Sequence, residues 1–271
     1  MRMTESLSSM TDHTMRIERD GALARLVFSQ AERGNPINAE FCGAFLDAAN
    51  TISEDPSIRA VLIVAEGKNF SFGGDIATFT GELDRLPMMI KRWTAALHVG
   101  IARFARMDAP VVVAVQGMSA GGMNGLVAGA DYVVGSATSR YLAAYAGIAF
   151  CADAGTSIML SRRMGIARAK RFLLMNELLD ADAAFSAGLV DEVAAPEDYL
   201  ARAEAVARQL AEGPTRAFGE IRRLFLSVED QPLETQLELE ALALARCAGT
   251  ADAHEGITAF AEKRKPVFKG E

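Results

Sequence analysis

The run Pro110-Val111-Val112-Val113-Ala114-Val115 is apolar at every position and mostly β-branched. A strand of this kind has no polar side to offer water, so both its faces need covering. Helices packed on both sides of a sheet meet that need, and the flanking segments supply them. Ala60–Ala65 is a second short apolar strand. Leu86–Arg106, between the two, reads as one long helix that tolerates Pro87 in its first turn. Upstream, Met15–Glu18 and Ala22–Phe28 flank Asp20-Gly21, a tight-hairpin signature. Phe41, Phe45, Ala48, Ala49 and Ile52 recur at helical spacing through Ala39–Glu54, with Asn38 placed to cap that helix and Asp55-Pro56 to end it. Downstream, Gln116–Gly122 reads as a small-residue turn, Met123–Ala130 as a helix and Tyr132–Val134 as a further strand. The repeated order of strand, turn and helix predicts an α/β architecture. From Ala167 onward the chain reads as mostly helical, broken at Gly188, Pro196, Gly213-Pro214 and Gly249.

At 271 residues the chain suits one large domain, or a core with a helical appendage. No apolar run reaches the length of a membrane span, so no membrane partner is expected. Met1–Asp12 is polar and rich in Ser and Thr, and reads as a tail rather than a signal peptide. The net charge of −7 argues against a nucleic-acid or anionic-membrane surface, but not against a small polyanion held by a few local cations. Cys42, Cys151 and Cys247 are too far apart and too few for a disulfide framework or a zinc site. A reducing cytoplasm is the expected location, and no metal is expected.

Two glycine-rich turns carry the chemistry. Phe70-Ser71-Phe72-Gly73-Gly74-Asp75 follows one apolar strand, and Gly117-Met118-Ser119-Ala120-Gly121-Gly122 follows the other and opens a helix. Backbone N–H groups at a helix start lack intrahelical partners and can receive an anion or a developing oxyanion. Glycine lets a ligand approach that backbone closely, although paired glycines also simply make tight turns. Neither segment matches a dinucleotide or P-loop fingerprint.

The first turn resembles the F-S-A-G-x-D signature of the crotonase (enoyl-CoA hydratase/isomerase) superfamily. Pro110–Gly117 followed by Ala120-Gly121-Gly122 resembles that family's P-V-V-A-A-V-N-G-x-A-x-G-G block. Arg33 to Asn38, Ala187-Gly188-Leu189-Val190-Asp191 and Phe260–Phe268 match further blocks in the same order. The resemblance implies a spiral of ββα units (residues 14–200) after a short tail (1–13), then a C-terminal helical oligomerisation region (201–271) that forms a homotrimer or a hexamer. It implies an acyl-CoA substrate, no cofactor beyond the CoA of that substrate, and an oxyanion hole made by the N–H groups of Phe72 and Gly122. Phe72, Gly73, Gly74 and Asp75, with Gly121 and Gly122, would line the substrate, and Arg33 would stand beside the CoA phosphates. Lys263 or Lys265 would reach CoA from the same or a neighbouring subunit.

The two glutamates of the family's hydratases are not kept: those positions hold Gly125 and Tyr145. Neither replaces a carboxylate as a base near neutral pH. Asp153 is the carboxylate left in that region. The resemblance gives that position to the acid/base of isomerases and to the nucleophile of 4-chlorobenzoyl-CoA dehalogenases, with His98 as a base and Tyr145 as the aromatic residue that steadies the aspartate. Asp153 also fits a helix cap, and His98 a structural place on its helix. Three readings follow: an isomerase using Asp153, a hydrolytic or dehalogenating enzyme using Asp153 and His98, and a non-catalytic acyl-CoA-binding protein. Phe72, Phe79, Trp93, Tyr145 and Phe150 are aromatic residues available to a pocket or to the core.

Overall fold

Strands β1 (Met15–Asp20) and β2 (Leu23–Phe28) form the hairpin that Asp20-Gly21 announces, with Gly21 in the left-handed region at φ 59°. The structure is a computed structural model that describes residues 13–271, so the tail expected at residues 1–12 lies outside the described residues. Helix α1 (Ala39–Glu54) starts where Asn38 accepts the Phe41 N–H at 2.9 Å. It turns Phe41, Phe45, Ala48, Ala49 and Ile52 inward. The chain continues through β3 (Ala60–Ala65), a short α2 (Ile76–Gly81) and the long α3 (Leu86–Arg106) to β4 (Val111–Val115).

The segment read as one turn after Val115 contains a short strand, β5 (Met118–Ala120), before α4 (Met123–Ala128). The next unit repeats the plan with β6 (Tyr132–Ser136), β7 (Arg140–Leu142) and α5 (Thr156–Met164). Then come α6 (Ile166–Leu174), β8 (Leu178–Asp180), α7 (Ala181–Ser186), β9 (Glu192–Ala194) and α8 (Tyr199–Ala211). Helices α9 (Thr215–Ser227), α10 (Leu233–Ala248) and α11 (Ala251–Ala261) complete the chain.

One sheet runs β1-β2-β3-β4-β6-β9, parallel after the first hairpin, and a small one runs β5-β7-β8. The first hairpin lies wholly in the large sheet, whereas the units that begin with β4 and β6 send their first strand to the large sheet and their second, β5 or β7, to the small one. Ser71 extends the small sheet by a parallel bridge to Ser119, which pairs with Tyr141 in turn. The first glycine turn is therefore a further rung of the same ladder, and the two turns leave neighbouring rungs at one end of the molecule.

Strands β3 and β4 are sealed on both faces, as their composition demands. Val61, Ile63, Val111, Val113 and Val115 join the core beneath α1 and α3. Ala60, Leu62, Val64, Val112 and Ala114 face Ala203, Ala207 and Ala211 of α8, whose small side chains let the helix lie close to the sheet. Because α8 packs on the sheet, the boundary expected at residue 200 cuts a core helix. Helix α9 lies against α3, with Arg222 donating to the Phe104, Met107 and Ala109 carbonyls. Among the described residues, no helix is long and apolar enough to cross a membrane.

Candidate active site

The first turn is bound at almost every N–H. Phe70 donates to the Gln116 carbonyl and Ser71 to the Met118 carbonyl, both at 2.9 Å. Phe72 donates to the Gly34 carbonyl at 2.9 Å, Gly73 to the Ser71 hydroxyl at 3.0 Å, and Asp75 to the Ile37 carbonyl at 3.1 Å. Only Gly74 has an N–H without an acceptor among the described residues. This corrects the sequence expectation: Phe72 is not the free donor, because its N–H is spent on Gly34. Its ring lies over Gly34, leaving the side chain half exposed.

In the second turn Ala120 donates to the Ser71 carbonyl and Gly121 to the Leu142 carbonyl. Gly122, at the N-cap of α4, has no acceptor for its N–H among the described residues. The turns lie back to back. A Cβ on Gly73, which has φ 79°, would stand 2.7 Å from the Ala120 carbonyl oxygen. Ile37 links the free pair: it bridges to Gly74, and its Cδ1 lies 3.4 Å from where a Cβ on Gly122 would be. Two unspent N–H groups thus stand at the ends of adjacent rungs, the arrangement an oxyanion hole requires.

Asp153 faces this pair. Its Oδ1 lies 3.2 Å from the Cβ position of Gly122. The capping alternative is ruled out by the geometry: α5 has Gly155 as its N-cap, at φ 73°, and no side-chain cap bond. Ala154 also has positive φ, 51°, and the Thr156 N–H closes the turn on the Asp153 carbonyl at 2.8 Å. A left-handed alanine costs about 1–2 kcal/mol, a strain that here turns the Asp153 side chain away from α5 and toward Gly122.

Tyr145 donates to Asp153 Oδ1 at 2.6 Å, and its hydroxyl lies 3.2 Å from Thr156 Oγ1. Burial, and then the Asp153 charge, push the phenol well above its ordinary range, so it stays a donor. The same two causes push the buried Cys42 thiol on α1 up to about 12. His98 is exposed on α3, and its Nε2 accepts the Ala154 N–H at 3.2 Å. That nitrogen is committed to holding the Asp153 turn, and a neutral ring then carries its proton on Nδ1.

Gly125 is a requirement of this packing. A Cβ there would lie 2.8 Å from Thr156 Oγ1 and 2.9 Å from the Thr156 backbone nitrogen, and would run into the Ala154 carbonyl. The turn that presents Asp153 occupies the space a glutamate would need.

Asp75 is corrected from a substrate-lining residue to a brace. It is buried, accepts the Thr78 N–H at the start of α2, and pairs with Arg33 at 2.5 Å. Burial alone would raise its carboxyl, but Thr78, Asn38 and Arg33 together hold it below the ordinary value. Arg33 remains half exposed beside the first turn. Lys265 lines a different cavity with Asp20, Arg59 and Arg208, where β2 and β3 begin, at the opposite end of the sheet from the glycine turns. It cannot serve the site of its own chain, and Lys263, close by in sequence, is exposed with φ 54°.

Sequence reasoning placed Gly74 in the substrate lining but not as a donor, and it missed Asn35 and Asn124. Asn35 Nδ2 binds the carbonyls of Glu66, Asn69 and Phe70, and Asn124 joins the Ser119 hydroxyl to the Leu142 carbonyl. These amides fix the rungs from which both turns spring.

Fold and site together define a thioester-handling class: paired backbone donors at two strand ends, faced by one carboxylate. The chain belongs to the enoyl-CoA hydratase/isomerase family, whose profile matches residues 18–271. It is 31% identical to the 1,2-epoxyphenylacetyl-CoA isomerase of Escherichia coli (strain K12), over 90% of this chain and 94% of that protein. It is 28% identical to a 4-chlorobenzoyl coenzyme A dehalogenase of Arthrobacter sp, over 95% and 94% of the two chains. The crystal structure of an enoyl-CoA hydratase from Polaromonas sp. JS666 superposes with a TM-score of 0.88 at 28% identity, covering 94% of this chain and 99% of that one. The fold is crotonase-like, and the chain is an enzyme family member that acts on acyl-CoA thioesters.

Proposed function

We propose that the chain is an acyl-CoA double-bond isomerase in which Asp153 moves the proton. The observation that carries this reading is the Asp153 carboxylate held by Tyr145, free of any capping duty, beside Gly122. The thioester oxygen receives the N–H groups of Gly74 and Gly122. Asp153 takes a proton from C2 of a 3-enoyl-CoA, and the charge moves to the thioester oxygen as a dienolate. The same carboxylic acid returns the proton at C4, giving the 2-enoyl-CoA. One base suffices, with neither water nor cofactor consumed.

Arg33 is proposed to meet the CoA phosphates. Lys263 or Lys265 of a neighbouring subunit is proposed to add to that contact in a homotrimer or hexamer. The three unpaired cysteines suit a reducing compartment, and the cytoplasm is proposed.

A second reading keeps Asp153 as a nucleophile that forms an acyl or aryl ester. It is favoured by the combination of Asp153, Tyr145 and His98 in one cluster. It requires His98 to activate water, and the Nε2 bond to Ala154 stands against that. A panel of a 3-enoyl-CoA, crotonyl-CoA and 4-chlorobenzoyl-CoA separates the readings. Isomerisation alone is the expected result. Chloride release, or hydration of crotonyl-CoA as the fastest reaction, would overturn the isomerase reading.

A further inference from the structure

We infer that the acyl group this enzyme takes carries a flat ring, seated against an aromatic wall of Phe79, Trp93 and Phe150. The inference rests on the acyl-CoA reading of the site and narrows it to one substrate class. Three separate segments bring the wall together: α2, α3 and the loop before Asp153. Phe79 and Trp93 stack with centroids 5.7 Å apart and planes 29° from parallel. Phe79 and Phe150 lie 5.9 Å apart at 40°. All three are half-buried, whereas the core rings of Phe28, Phe41, Phe45 and Phe70 are sealed. Aromatic residues are 7% of the chain, and its one tryptophan stands in this wall.

The wall adjoins the oxyanion hole. Phe79 Cε2 and Cζ lie 2.9 and 3.1 Å from where a Cβ on Gly74 would be, so this ring covers the residue whose N–H is free. An acyl group with its carbonyl oxygen on Gly74 and Gly122 leaves the hole beside Phe79. An alkyl chain gains only buried area from such a wall, which leucine or methionine would give equally well. A ring adds offset or edge-to-face contact with the aromatic faces, worth roughly two- to tenfold in binding per ring pair. It also has fewer torsions to freeze than a chain of equal carbon number.

Phenylacetyl-CoA and octanoyl-CoA carry the same number of acyl carbons and test the ring directly. Both are titrated into the intact protein by calorimetry, with free CoA as the reference. Trp93 emission is followed in parallel, since no other tryptophan contributes. The expected result is roughly tenfold tighter binding of phenylacetyl-CoA, the scale of one or two ring contacts, with a change in Trp93 emission that free CoA does not produce. Phe79→Leu and Phe150→Leu should bring the two affinities together while CoA binding stays the same. Should those variants fail to fold, the wild-type affinity ratio and emission still decide. Equal or tighter octanoyl-CoA binding, or a preference that survives both substitutions, would overturn the ring and leave the acyl-CoA reading standing. If neither thioester binds better than CoA, both readings fall.

Discussion

At the scale of single residues, the site depends on which polar groups are already spent. Asp75 and Asp153 are both acidic residues in or beside a turn, and only their partners separate them. Asp75 is buried between Arg33, Asn38 and Thr78, and acts as a brace. Its carboxyl is held below the unfolded value, near 4. The resulting stabilisation is present above about pH 4 and is lost as the pH falls through the lower, folded value. Asp75→Asn should therefore lower the melting temperature at pH 7, and the gap from wild type should narrow at pH 3. Melting curves at the two pH values check this, and a gap that widens in acid would contradict it. Among the described residues Asp153 has one partner for its carboxylate, the Tyr145 hydroxyl, which leaves the other oxygen for substrate. The resemblance already pairs Tyr145 with Asp153, but the division of duties between the two aspartates was not legible in the sequence. Whether an aspartate caps, braces or reacts depends on backbone angles at Ala154 and Gly155, and those are set by packing against Gly125. The choice of Gly74 over Phe72 as donor was hidden for the same reason, since it turns on the distant Gly34 carbonyl.

At the scale of elements, long segments with a clear period are placed by their own pattern. Helix α1, strand β3 and helix α3 run over the spans their periodicity indicates. Strands β5, β7, β8 and β9 are three residues each, too short to show a period: β5 lies in a segment read as a turn, β8 and β9 in one read as mostly helical, and β7 in a stretch given no element. Yet β5 and β7 make the ladder that sets the two glycine turns side by side. The start of α4 yields a direct test of that ladder's product. Gly122 has φ −56°, close to the angle proline fixes, so Gly122→Pro removes the N–H at a compatible φ, while its Cβ would stand 3.2 Å from Ala154 Cβ and Asp153 Oδ1, which must give by a few tenths of an ångström. We expect a folded protein whose kcat falls on the order of a hundredfold or more, the scale of losing one oxyanion donor. Steady-state kinetics alongside circular dichroism check this. Gly125→Glu, by contrast, should not create a hydratase. Its side chain would displace the Asp153 turn at a cost of about 1–3 kcal/mol. For a chain of this size the melting temperature should fall by roughly 2–4 °C for each kcal/mol, with no crotonyl-CoA hydration gained.

At the scale of the whole molecule, α9, α10 and α11 expose Phe225, Leu233, Leu237, Leu244 and Phe260. Large apolar side chains left to water on three successive helices suit a contact with further copies of the chain. A trimer, alone or paired into a hexamer, is the expected state, and a monomer mass by light scattering at micromolar concentration would contradict it. The central claim remains the proton that Asp153 moves. Wild-type protein and Asp153→Asn are each incubated with a saturated acyl-CoA in D2O, and deuterium uptake at C2 is followed by NMR. Uptake by wild type is the expected result. In Asp153→Asn uptake should be slower by roughly two to four decades, the usual worth of a general base, with CoA affinity and melting temperature unchanged. Deuterium uptake at the wild-type rate in a folded Asp153→Asn protein would contradict it.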